Sequence, residues 1–130
     1  MRIAVLGANG QVGAELCALL ALQPGVELVP VCRNRLGSAF LRSRGLAVRH
    51  GDPADWEATA ALYADCDVVA NLALVPTLQG AHAARATTAT LVGNVARRLG
   101  GRGLHLYFST MSVYGDREVG DLLTVPNLYG

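Results

Sequence analysis

Lysine is absent. The 130-residue chain has 11 basic side chains, and all of them are arginine. Chemistry that needs an ammonium beside the reacting group cannot be completed by these residues alone. Charge in general is scarce, at 16% of residues with a formal net charge of +1. A balance so close to neutral gives no electrostatic reason to bind nucleic acid or a membrane surface, and neither is expected as a partner. Cysteine occurs only as Cys17, Cys32 and Cys66. The odd count, the wide spacing and the lack of any C-x-x-C or Cys/His cluster exclude a disulfide framework and leave no zinc site, so no metal is expected. The preferred reading is reduced, partly buried thiols in a cytoplasmic protein. Long apolar runs are missing as well. After Arg2 only four apolar residues precede Gly7, too few for a signal peptide, and no segment approaches the ~18 residues of a membrane span. The histidines His50, His82 and His105 are far apart without a ligand-like pattern, and His82 reads as a helix-surface residue.

The chain does hold aliphatic material. Hydrophobic residues make up 52% of it, enough for one domain spanning 1–130 with a substantial core. Four of them, Ile3 to Leu6, run straight into three glycines spaced three apart: Gly7, Gly10 and Gly13. Leu16, Leu19 and Leu20 follow at helical spacing. The pattern is a buried strand, a tight turn and a helix start. Glycine in such a turn accepts torsions that a Cβ forbids, and it lets the main chain approach a pyrophosphate whose charge is met by free N–H groups. The alternative is a glycine-rich turn that binds nothing. The stretch Gly7, Asn9, Gly10, Gln11, Val12 and Gly13 is the expected diphosphate site.

Strand-like and helix-like stretches then alternate. A helix is expected over Gln11 to Leu22, stopped by Pro24-Gly25, and a strand over Glu27 to Cys32. Pro30 within that strand marks a position whose N–H the ladder does not need. A short helix near Ser38 to Arg44 precedes a strand at Leu46 to Arg49. A helix capped by Asp55 runs to Ala64, with Trp56 and Leu62 as core residues. A strand over Asp67 to Ala73, a long helix over Gln79 to Leu99 and a fifth strand over Leu104 to Ser109 complete the order. Continuous apolar strands alternating with helices predict an α/β fold, a Rossmann-like doubly wound parallel sheet of about five strands in the order 3-2-1-4-5.

Ligands of such sheets sit beyond the carboxyl ends of the strands, and the polar residues here fall at those ends. After the second strand, Arg33, Asn34 and Arg35 stand where an acid would meet a ribose hydroxyl. Two guanidinium groups suit a 2′-phosphate instead, so NADP is expected in preference to NAD. The other reading is two solvated loop arginines. After the third strand, Asp52 could accept a bond from an adenine amino group, with Pro53 beside it. After the fourth, Leu72 and Ala73 offer apolar contact to the middle of a cofactor.

Four motifs in order carry a resemblance. Gly7-Ala-Asn-Gly-Gln-Val-Gly13 resembles G-x-x-G-x-x-G. Gly51-Asp-Pro-Ala-Asp55 is similar to G-D-x-x-D, Asp67-Val-Val-Ala-Asn-Leu-Ala73 to D-V-V-x-H-L-A, and Ser109-Thr-Met-Ser-Val-Tyr-Gly115 to S-[ST]-x-x-V-Y-G. Together they resemble the N-terminal part of an extended short-chain dehydrogenase/reductase, the NAD-dependent epimerase/dehydratase family. Leu6 where Thr is frequent, Asn71 where His is common, and the lack of N-V-x-G-T around Ala86 to Thr90 depart from the pattern.

The resemblance implies hydride transfer between NADP or NAD and a nucleotide sugar or similar polyol. It implies a Ser/Thr hydroxyl on the substrate oxygen, which falls on Thr110, and a tyrosine that moves the proton. That tyrosine matches Tyr129 at the start of a Y-G-x-x-K-like ending, whereas Tyr114 belongs to the landmark segment. A free phenol titrates near ~10, too high for a base at neutral pH, and a nearby cation lowers it. The family's lysine would lie four residues beyond Tyr129, past the last residue of the sequence. Two readings follow. The chain is an incomplete piece of a longer enzyme, lacking the substrate-binding part and inactive alone, or a short relative that pairs as a homodimer through a bare sheet face. The first is favoured. A non-catalytic dinucleotide-binding or redox-sensing module is the alternative to an enzyme.

Overall fold

The structure is a computed structural model in which residues 1–73 and 81–108 are described. Five strands, β1 (Arg2–Leu6), β2 (Glu27–Cys32), β3 (Arg49–His50), β4 (Val68–Asn71) and β5 (Leu104–Tyr107), form one sheet in the order β3-β2-β1-β4-β5. All four pairings are parallel. The helices α1 (Gln11–Leu20), α2 (Ala39–Ser43), α3 (Ala58–Tyr63) and α4 (Ala81–Leu99) form the crossovers. This is the expected doubly wound topology.

β1 lies at the centre, and Ala4, Val5 and Leu6 are fully buried. An unbroken apolar run is what a strand covered on both faces requires. Side chains alternate between two cores. Ala4, Leu6, Val29, Val31 and Val69 pack with Leu62 and Tyr63 of α3 and with Leu91, Val95 and Leu99 of α4. Val5, Cys32 and Ala70 pack on the other face with Cys17 of α1 and Leu41 of α2.

Pro30 is accommodated as its ring demands. The Glu27 N–H donates to Met1 O and the Val31 carbonyl accepts from Ala8, so alternate residues of β2 bond toward β1. Residue 30 therefore faces β3, whose pairing starts only opposite Val31. The missing N–H also explains why β3 covers Arg49–His50 and not the expected Leu46 to Arg49: the ladder cannot extend back past proline. Leu46 and Val48 still pack against the core, outside the strand.

α2 ends in a Schellman motif, with the Leu46 N–H on the Leu41 carbonyl (3.2 Å), the Gly45 N–H on the Arg42 carbonyl (2.9 Å) and Gly45 at φ 77°. α3 is shorter than expected because two Asx turns occupy its approach. Asp52 Oδ1 accepts the Ala54 N–H (2.9 Å), and Asp55 Oδ1 accepts the Glu57 N–H (3.0 Å). Leu62 is core as expected, but Trp56 is not. It precedes α3, half-buried, with the guanidinium groups of Arg98 and Arg97 at 3.9 and 4.3 Å from its ring centre. At the sheet edge, Leu104, Leu106, Tyr107 and neighbouring Phe108 are each about half exposed.

Candidate functional site

The turn between β1 and α1 is built by sterics. Gly7 has φ 76°, and a Cβ there would lie 2.8 Å from the Leu72 carbonyl oxygen. A Cβ on Gly13 would lie 2.2 Å from the Gly7 oxygen. These two glycines bring the turn against β4 and against its own helix. Gly10 differs: its backbone is ordinary extended chain (φ −73°, ψ 164°), and a Cβ would meet only the Gly7 oxygen, at 3.3 Å.

Gly10 caps α1 without a side-chain bond, and the first turn carries no acid. The first helical bond runs from Ala14 N–H to the Gly10 carbonyl (2.8 Å). The preceding amides, Gln11, Val12 and Gly13, are the donors that a helix start leaves over. A cap oxygen normally takes one of them. Here their place is open to an anion, and the helix dipole favours one.

Beside this turn a cavity of about 280 Å³ opens beyond the carboxyl ends of β1, β2, β3 and β4. Of the residues proposed from sequence, Gly7, Asn9, Gly10, Arg33, Asn34, Asp52, Pro53, Leu72 and Ala73 line it. Gln11, Val12, Gly13 and Arg35 do not. Gln11 and Val12 are exposed in the first turn of α1, Gly13 is buried under the turn, and Arg35 lies exposed on the loop after β2. Thr110 and Tyr129 lie outside the described residues.

Val31, Cys32, Thr87 and Leu91 also line the cavity and were missed. Thr87 and Leu91 are one turn apart on α4, so helical periodicity through buried Leu91 and Val95 was the available signal. A second layer was invisible in the sequence. Asn94 of α4, 5% exposed, donates through Nδ2 to the carbonyls of Pro53 (3.2 Å) and Ala54 (2.9 Å) and fixes the Asp52 turn. Arg98 does the same one turn on, donating to Thr59 Oγ1 (2.9 Å) and the Trp56 carbonyl (3.0 Å).

Arg33 and Arg35 have no carboxylate within ion-pair distance among the described residues. Oδ1 of Asp52 is held by the Ala54 N–H, and its second carboxylate oxygen has no partner among the described residues. Burial pushes the Cys32 thiol up, partly opposed by the Asn9 backbone N–H, and pushes Cys17 up to about 12. Both are protonated at neutral pH and not nucleophilic. Asn71 is fully buried at the end of β4. Its Oδ1 accepts the Ala73 N–H (3.2 Å), and its Nδ2 has no partner among the described residues. The Asn9 and Asn34 side chains converge on Gly37, whose Cβ position lies 3.1 Å from Asn9 Nδ2 and 3.3 Å from Asn34 Oδ1. The loop after β2 is thereby seated against the glycine turn.

Solved structures share this fold. UDP-glucuronic acid 4-epimerase from Bacillus cereus, in complex with NAD, matches with TM-score 0.78 and 24% identity over 100% of this chain and 48% of its own. UDP-N-acetylglucosamine 4-epimerase from Bacillus cereus gives 0.75 and 22%, over 100% and 44%. A UDP-galactose 4-epimerase gives 0.72 and 25%, over 92% and 41%. The chain thus spans less than half the length of these proteins. No curated protein matches significantly. Residues 3–126 match the model of the NAD dependent epimerase/dehydratase family, so the chain belongs to that family.

Proposed function

We propose that the chain is the dinucleotide-binding part of an extended short-chain dehydrogenase/reductase that acts on a nucleotide sugar or similar polyol with NADP(H). The observation that carries this reading is the uncapped start of α1, whose capping residue Gly10 lines a cavity that also holds Arg33 and Asp52. The fit is steric and electrostatic: Gly10 in the cavity wall with only the Gly7 oxygen near its Cβ position, donors left over by the helix start at Gln11 and Val12, and cations after β2 with no carboxylate partner among the described residues. Bound there, a nicotinamide dinucleotide supplies the hydride donor or acceptor.

The chain's residues supply the rest. The α1 amides hold the diphosphate. Asp52 receives the adenine amino group, and Pro53, backed by Asn94, forms the wall beside it. Arg33 and Arg35 hold a 2′-phosphate through charge-assisted bonds, with Asn34 between them. Leu72 and Ala73 exclude water from the middle of the site. Thr110 orients the substrate oxygen and Tyr129 moves its proton, with a nearby cation lowering the phenol. We place the protein in the cytoplasm, with the half-exposed β5 region as the face for a further part of the protein or for a second copy.

Titration of the purified protein with NADPH and NADH tests the reading. Tighter binding of NADPH is expected. Negligible binding of both ends the cofactor assignment, and a marked preference for NADH removes the role given to Arg33 and Arg35.

A further inference from the structure

Ser38 stands at the N-cap of α2, where a serine hydroxyl ordinarily accepts a backbone N–H of the first turn. It makes no such bond. The residue is fully buried, and its Oγ lies 2.8 Å from the Arg35 carbonyl and 2.8 Å from His50 Nε2. A carbonyl only accepts, so the single hydroxyl proton goes to Arg35, and His50 must be the donor to Oγ. The result is a one-way chain, His50 Nε2–H to Ser38 Oγ–H to the Arg35 carbonyl. The same carbonyl also receives the Ser38 backbone N–H (3.3 Å), and Asn34 Oδ1 receives the Gly37 N–H (2.8 Å).

His50 is well placed to anchor this. It pairs with Cys32, the last residue of β2, and the next N–H, that of Gly51, bonds the Cys32 carbonyl at 3.1 Å. One residue thus joins the strand end that leads to Asp52 with the loop that carries Arg33 and Arg35. It adds a buried side-chain tie to a loop that Asn34 and Asn9 already seat against the glycine turn.

We propose that His50 and Ser38 are positioning residues for a 2′-phosphate: the bonded chain through the Arg35 carbonyl sets the loop from which Arg33 and Arg35 reach an anion at the cavity mouth. The proposal rests on the NADP reading above and extends it to two residues that do not touch the cofactor. Arginine recognition of phosphate is geometric, so loosening the loop weakens the phosphate contact specifically.

The test is the ratio of NADPH to NADH affinity in the purified protein and in Ser38→Ala, His50→Leu and His50→Gln, with melting curves recorded for each. The unmodified protein is expected to favour NADPH about tenfold or more. Ser38→Ala and His50→Leu are expected to cut that ratio about fivefold, the equivalent of one ordinary hydrogen bond, with NADH affinity unchanged. His50→Gln retains a donor and is expected to keep the ratio. A ratio unchanged in Ser38→Ala and His50→Leu, or an equal loss of both affinities, overturns the proposal and leaves the NADP reading standing. A ratio of one in the unmodified protein rejects the NADP reading, and the proposal falls with it. Should Ser38→Ala fail to fold, the two His50 variants decide by the same ratio.

Discussion

Gly10 and Gly13 separate folding from binding within a single turn. In Gly13→Ala the new methyl would sit 2.2 Å from the Gly7 oxygen and 3.0 Å from Ala8 Cα, both backbone atoms. Relief requires moving α1 off the turn by about 1 Å, an overpacking cost of about 3 kcal/mol. Alanine recovers about 1 kcal/mol of helix propensity over glycine. The net loss is about 2 kcal/mol, or a fall in Tm of about 8 °C for a domain of this size. In Gly10→Val the backbone is already extended, which a β-branched residue accepts. Its Cβ meets one carbonyl at 3.3 Å, so stability should stay within about 1 kcal/mol. The added side chain stands beside the amides of the helix start. Displacing a diphosphate from even one of them costs about 1.5–3 kcal/mol, tenfold or more in affinity. Thermal melting and an NADPH titration of both variants are the assay. Gly13→Ala with an unchanged Tm, or Gly10→Val with undiminished affinity, would refute the steric reasoning or the phosphate site respectively.

Three further outcomes are expected. Asp65 takes two bonds from Arg49 (2.6 and 2.8 Å) and one from Arg2 (2.7 Å), and the Arg49 bonds hold its carboxyl far below the usual range. Its side chain is 44% exposed, so Asp65→Asn should cost only about 1 kcal/mol at pH 7. A lowered folded pKa contributes stability above the unfolded value near 4 and loses it as pH falls, so denaturant unfolding should show the gap narrowing below about pH 4; a constant gap contradicts this. Asn94→Ala removes the partner of two carbonyls and should cost about 1–3 kcal/mol with weaker dinucleotide binding, read by the same melting and titration. Burial pushes Cys17 and Cys66 up to about 12 and raises Cys32, so a thiol reagent at pH 8 should label none of the three until the protein unfolds.

Much of this was legible because it is periodic or steric. Apolar runs, glycine spacing and turn residues locate β1, β2, β4 and their order, and Pro30 announces a ladder position with no donor. What was hidden depends on pairs far apart in the chain. Trp56 looks like a core aromatic until Arg97 and Arg98 of α4 are found on its ring. His50 looks inert until β3 sets it 2.8 Å from Ser38. Thr87 and Leu91 become cavity wall only once α4 crosses back over the sheet. Gln11, Val12 and Gly13, drawn from motif position, and Arg35, drawn from its place after β2, lie outside the cavity lining, because position in the chain counts residues and not directions.

The proposed function stands or falls with the main-chain amides that open α1, which are to hold the diphosphate. An amide-resolved NMR titration with NADPH tests it directly. The largest shifts are expected at Gln11, Val12 and Gly13, with smaller ones at Arg33 and Asp52. Saturable binding that leaves those three amides unmoved would contradict it.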